Sequence, residues 1–162
     1  MTVEIGWHSG PRAPLRPLFE LAEDSAVQLD GYLDLGRVLV ARDGDEPVGH
    51  LQLVPTDRRD EIELKSLAVI ADRQREGIGR ALVESAVDRC RAEGVRLVLV
   101  STAAADTGAL RFYQRLGFRM LRVERDAFTP ATGYPDPIVI DGIPLRDRVW
   151  LSRDIEPADP SA

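Results

Sequence analysis

The sequence predicts an α+β fold: one mixed, mostly antiparallel sheet of about seven strands, flanked by about four helices. Three observations lead there. Residues 37–70 read as three strands joined by short polar turns. A strongly amphipathic stretch over 77–93 then separates two apolar strand candidates. A second helical stretch over 106–116 ends at Gly117 and is followed by two further strands. A meander of short turns pairs antiparallel. A strand–helix–strand crossover returns parallel and right-handed, so the sheet is mixed.

In chain order, Val3, Ile5 and Trp7 alternate over a short strand at 3–8, which Gly10 and Pro11 break. Leu15, Leu18, Phe19 and Ala22 share helical spacing over 15–23, with Pro14 suited to the start and Pro17 tolerable only in the first turn. Residues 25–35 suit either a short helix or an ordered loop. Strands at 37–42 and 48–54 flank an Asp-, Gly- and Pro-rich turn at 43–47, a strong hairpin signal. The next strand, 62–70, runs into the continuous apolar stretch 67–71, the pattern of a strand covered on both faces.

The helix over 77–93 carries Ile78, Leu82, Val83, Ala86, Val87 and Cys90 on one stripe, with Arg80, Glu84, Asp88 and Arg91 opposite. Gly94 ends it. The β-branched run 95–100 reads as a central strand. Asp106 is a suitable N-cap for the next helix, whose inner face holds Ala109, Phe112, Tyr113 and Leu116. Strands at 118–125 and 146–155 close the sheet around an irregular, proline-containing segment at 127–145.

At 162 residues the chain is long enough for a single domain with a sizeable core, read over 1–156, with 157–162 as a disordered tail. Its 44% hydrophobic and 30% charged content is that of an ordinary soluble protein. There is neither an apolar run of membrane-spanning length nor a signal-peptide pattern, so a cytoplasmic protein without a membrane partner is expected. The single cysteine, Cys90, fits a reducing compartment and a buried structural thiol. A net charge of −6 argues against non-specific nucleic-acid binding and suits a cationic substrate.

The chemistry begins at 67–82. A strand leads into Arg73, Gln74, Arg75, Glu76, Gly77, Ile78, Gly79 and Arg80, and then into the helix. Glycines at a helix N-terminus leave amide N–H groups uncovered. The helix dipole and three arginines add positive potential, which makes an anion site, most simply for phosphate or pyrophosphate. The nucleotide-triphosphate loop is excluded because no lysine follows the glycines. The dinucleotide fingerprint is excluded because its third glycine is replaced by Leu82.

Gln74-Arg75-Glu76-Gly77-Ile78-Gly79 resembles the pyrophosphate signature of the GNAT (GCN5-related) N-acetyltransferases. Ala109-Leu110-Arg111-Phe112-Tyr113, running on to Gly117-Phe118, is similar to that family's second motif. The two lie at the family's distance, and the resemblance spans roughly 36–126. It implies a GNAT fold with a splay between the fourth and fifth strands, where the acetyl-pantetheine arm lies. It also implies acetyl-CoA as donor, without a metal, and direct attack by an amine. The acceptor, a small-molecule amine or a peptide or protein amine, is left open, and a homodimer is possible.

Carried over by position, the resemblance places Gln74, Arg75, Glu76, Gly77, Ile78, Gly79 and Arg80 on the pyrophosphate, and Leu67, Ala68 and Val69 against the pantetheine. Tyr113 becomes the acid that protonates the departing thiolate and a cofactor contact; membership of a packing stripe is its plain alternative. Glu63 stands where relatives carry a general base, against a solvated edge-strand carboxylate. Asp106 stands where many relatives have asparagine, so it is a cap first and a cofactor contact second. Glu61 and His50 are weaker acceptor-side candidates, His50 also as a substitute base. Tyr134 and Asp141, in the segment that often shapes the family's acceptor site, complete the set, with Asp136 a turn residue or cation contact. Two rivals differ in outcome: an acyl-CoA-binding sensor or assembly module without turnover, and a transferase using another donor such as succinyl-CoA.

Overall fold

The strands run β1 Glu4–Trp7, β2 Arg37–Asp43, β3 Glu46–Pro55, β4 Glu61–Val69, β5 Leu97–Ala103, β6 Arg119–Glu124, β7 Val139–Ile140, β8 Ile143–Pro144 and β9 Arg148–Asp154. The α-helices are α1 Arg16–Glu20, α2 Ala26–Tyr32, α3 Ile78–Ala92 and α4 Thr107–Arg115. The structure is a computed structural model describing residues 2–159; residues 160–162 of the expected tail lie outside the described residues.

Seven strands form one sheet in the order β1-β2-β3-β4-β5-β9-β6, and β7 and β8 make a separate two-residue hairpin. β1 to β4 pair antiparallel as the predicted meander. β4 and β5 are parallel, as the α3 crossover requires. The last strand, β9, inserts between β5 and β6 and pairs antiparallel with both.

Two apolar clusters clamp the sheet. The larger joins α3 and α4 to one face and includes every residue of the predicted α3 stripe, from Ile78 to Cys90. Burial pushes the Cys90 thiol up to about 11. The smaller packs Leu18 and Phe19 of α1 and Leu29 and Tyr32 of α2 beside Val38 and Val40 of β2. Ser25 caps α2, its Oγ accepting from the Gln28 amide at 3.2 Å. Thus 25–35, left ambiguous by its sequence, is a helix with a conventional start.

Three expectations need correction. The helix expected over 15–23 stops at Glu20, after a single 3-10 turn at Ala13–Leu15, which frees Glu23 and Asp24 from helical geometry. The strand carrying Glu63 is central, not an edge. The stretch 67–71 is not covered on both faces. Leu67, Ala68, Val69 and Ile70 are half-buried, and Ala71 is exposed in a 3-10 turn. The apolar run there borders a gap in the sheet.

Candidate active site

Pairing between β4 and β5 is confined to Glu61–Leu64 against Leu97–Val100. Beyond Leu64, β4 continues to Val69 paired only with β3, and beyond Val100, β5 continues to Ala103 paired only with β9. The cause is a bulge. Gln52 pairs with Ser66 and Leu53 with Leu64, so Lys65 is an extra residue on β4. An extra residue bends its strand and raises its twist. The facing edges of β4 and β5 therefore present backbone groups that the sheet does not use. A cleft of about 370 Å³ opens at this point, lined among others by Glu23, Tyr32, Ser66, Thr102, Tyr113 and Tyr134.

At one end of β4 the chain turns into α3. Gly77 is the N-cap, with φ 84°, a left-handed conformation in which a side chain is strained. The Ala81 amide closes the first turn onto the Gly77 carbonyl at 2.9 Å. The amides before it have no helical partner and point outward along the dipole. Gln74 does not reach outward. Its Nε2 donates to the Val69 carbonyl at 3.1 Å, tying the loop to the end of β4. Arg75 and Arg80 are exposed.

Arg73 is a different case. Its guanidinium donates to Asp43 at 2.8 Å and to Glu76 at 2.8 Å. The expectation that it adds free positive charge to the anion site is therefore corrected. It acts as a strut between β2 and the loop, with its charge matched. What remains is a backbone cradle with two exposed arginines, a set of donors that fits a pyrophosphate beside a slot that fits a pantetheine arm.

Tyr113 lies on the cleft wall, 7% exposed, edge-on to Phe112 and Phe118 at centroid distances of 5.1 and 5.5 Å. Burial, with a smaller contribution from Asp106, pushes its pKa well above the usual phenol range. It therefore enters any reaction at neutral pH as an intact O–H donor. Asp106, also on the wall, caps α4 by accepting from the Ala109 amide at 2.9 Å.

The acceptor-side candidates separate. Lys65, which lines the cleft, brings its Nζ within 3.9 Å of the carboxylate of Glu63, which is half-buried and does not itself line it. Burial raises its pKa, against the opposing pull of Lys65 and Arg148. Glu61 lies three residues further from the bulge than Leu64, roughly 10 Å along the strand, and does not reach the cleft. Asp141 sits in the exposed β7–β8 turn with φ 48°, and Asp136 is exposed on the outer side of the same segment. Neither lines the cleft. His50 is fully buried behind Ser66, to which its Nε2 is hydrogen-bonded at 2.8 Å.

Tyr134 is 7% exposed and brings the 127–145 segment over the cleft. Its hydroxyl donates to Glu23 Oε2 at 2.7 Å, while Tyr32 donates to Glu23 Oε1 at 3.2 Å. Gln28 of α2 donates to the Thr132 carbonyl at 2.7 Å. The irregular segment is thereby strapped to the α1–α2 corner. Glu23, Tyr32, Ser66 and Arg148 were not singled out from the sequence, although all line the cleft. In the sequence Glu23 falls at the end of the expected 15–23 helix and Tyr32 on an apolar stripe, so neither carries a local signal of its own.

Comparison with known proteins agrees with this geometry. The acetyltransferase (GNAT) family model matches residues 7–118. The uncharacterized N-acetyltransferase YvbK of Bacillus subtilis is 30% identical over 155 residues, 96% of this chain and 97% of the relative. Two solved structures share the fold closely. A GNAT family acetyltransferase from Elizabethkingia anophelis with acetyl-CoA bound has a TM-score of 0.85 at 28% identity, over 94% of this chain and 97% of that one. A Bacillus subtilis acetyltransferase in complex with CoA has a TM-score of 0.86 at 29% identity, over 96% and 100%.

Proposed function

The chain belongs to the GNAT acetyltransferase family, and from that premise we propose that it moves the acetyl group of acetyl-CoA to a primary amine by direct attack within a ternary complex. The observation that carries this is the gap between β4 and β5, with the α3 amide cradle at one end and Tyr113 on its wall. Solved relatives with CoA or acetyl-CoA bound support the donor.

Each residue has a stated task. The α3 N-terminus, with Gly77, Gly79, Arg75 and Arg80, holds the pyrophosphate, and the free edge of β4 at Leu67, Ala68 and Val69 pairs with the pantetheine amides. A β4 backbone N–H polarises the thioester carbonyl. Glu63, directly or through water, takes the proton that the ammonium must lose before it attacks. Its raised pKa suits it to that task. The amine nitrogen bonds to the thioester carbon, the C–S bond breaks, Tyr113 gives its proton to the departing sulfur, and the second proton shed by the nitrogen restores the phenol through water. Glu23, Tyr32 and Tyr134 form the wall against which the acceptor lies.

The test is release of free CoA thiol from acetyl-CoA over a panel of amines: polyamines, aminoglycosides, amino acids and peptide N-termini. Acetyl-CoA binding without thiol release for any of them favours a sensor module instead. Faster release from succinyl-CoA corrects the donor.

A further inference from the structure

We propose that Ser66 is a catalytic residue of this transfer: its hydroxyl, aimed into the cleft by His50, donates a hydrogen bond to the thioester carbonyl oxygen as negative charge develops there. The proposal rests on the acetyltransferase reading and adds a second donor to the backbone N–H.

His50 is 0% exposed, its ring packs on Phe19 at a centroid distance of 4.1 Å, and its Nδ1 has no hydrogen-bond partner. A buried orphan N–H is rarer and costlier than a buried unused lone pair. The proton of neutral His50 therefore sits on Nε2, and burial keeps the ring neutral, its pKa down to about 3. Among the described residues the one partner of Nε2 is Ser66 Oγ at 2.8 Å, so the imidazole donates and the serine oxygen accepts.

That fixes the serine. One lone pair of Oγ is taken by His50, and no acceptor among the described residues takes the hydroxyl proton. Ser66 is 4% exposed and lines the cleft, next to the bulge at which β4 leaves β5. The O–H is a buried donor on the cleft lining with no acceptor among the described residues, free to turn to a ligand in the slot. A fixed donor in a water-poor site needs no reorganisation as charge appears, which is where such groups have their largest effect on rate.

The same tautomer excludes two other roles. With Nε2 already protonated, His50 cannot accept the Ser66 proton, so Ser66 is not a nucleophile and no acetyl-serine forms. Nor does His50 act as the base for the amine. It is a positioning residue, and Ser66 keeps its own proton throughout.

The experiment uses the full chain with acetyl-CoA carrying carbon-13 at the thioester carbonyl. In wild type the carbonyl infrared band of the bound acetyl group lies below its position in free acetyl-CoA. In Ser66→Ala it moves back toward the free value, and Ser66→Thr retains most of the shift. With any amine that turns over, Ser66→Ala lowers kcat about 100-fold and leaves KM for acetyl-CoA unchanged. Nitrogen-15 NMR of His50 shows the Nε2–H tautomer. His50→Gln, which keeps an N–H donor, holds the band better than His50→Leu. If His50→Leu does not fold, the Ser66 pair and the nitrogen-15 spectrum decide. A band unmoved by Ser66→Ala, or a His50 proton on Nδ1, overturns the proposal while thiol release by wild type still upholds the acetyltransferase reading. A Ser66-dependent band in a protein that releases thiol with no amine supports the contact and sinks the transferase reading. Failure of wild type to bind acetyl-CoA overturns both.

Discussion

The sides of the cleft proposed for donor and acceptor are built by opposite means. The donor side is local: a strand end, one turn and a helix start within residues 67–82, working mainly through backbone groups. The acceptor side is assembled from distant side chains. Glu23 and Tyr134 are 111 residues apart, and Gln28 and Thr132 are 104 apart. Backbone recognition tolerates sequence change as long as the turn geometry survives. A side-chain wall changes its selectivity with single substitutions. One fold can therefore keep a fixed donor and carry many acceptors.

The largest expected effect lies where the two sides meet. Tyr113→Phe lowers kcat by roughly 10²–10³-fold, the ordinary range for loss of a proton donor, with KM for acetyl-CoA little changed. Steady-state rates across the active pH range check this. An unchanged kcat removes Tyr113 from the chemistry and leaves it as core.

Glu63→Gln comes next, lowering kcat about 100-fold and removing the acid limb of the wild-type rate profile, which follows the raised pKa of Glu63. It also affects stability. Burial lifts the folded-state pKa of Glu63 above its unfolded value, so folding favours the protonated form. The stability linked to this group is present below the unfolded pKa and is lost as pH rises through the folded one. Melting curves should therefore show Glu63→Gln more stable than wild type above that pKa, with the difference shrinking toward acid pH.

Glu23→Ala separates the two sides. It removes the acceptor shared by the Tyr32 and Tyr134 hydroxyls, and bonds to charged groups contribute about 1.5–3 kcal/mol. KM for the amine should rise on the order of tenfold, with KM for acetyl-CoA unchanged. Equal effects on both constants would mean that the strap braces the whole domain. The smallest effect is expected from Gly77→Ala. An added Cβ meets nothing within 4 Å, so its cost is the left-handed backbone alone, roughly 1–2 kcal/mol. Acetyl-CoA binding, followed by titration calorimetry, should weaken several-fold while amine KM holds.

This division also explains what the sequence could tell. All six residues of the α3 stripe are buried where the 3.6-residue period puts them, and Gly77 stands at the helix start its position implies. The Asp43 half of the pairing of Arg73 was hidden, because Asp43 lies 30 residues away on β2. The extra residue at Lys65 was hidden too. A bulge is defined by the partner strand, and the run from Leu64 to Val69 looks continuous. Glu23 could not be read from any local pattern, since its value comes from two tyrosines that only the fold brings to it. The placing of β9 between β5 and β6 is likewise a matter of topology, not of period.

The burial of Cys90 has a practical consequence for kinetics. The chain has one cysteine, 1% exposed, with a thiol pushed up to about 11. At pH 7–8 almost none of it is thiolate, and a colorimetric thiol reagent has no open path to it. In the folded enzyme, colour therefore reports liberated CoA alone. A slow extra equivalent of colour reports unfolding, so one cuvette reads both turnover and the integrity of α3.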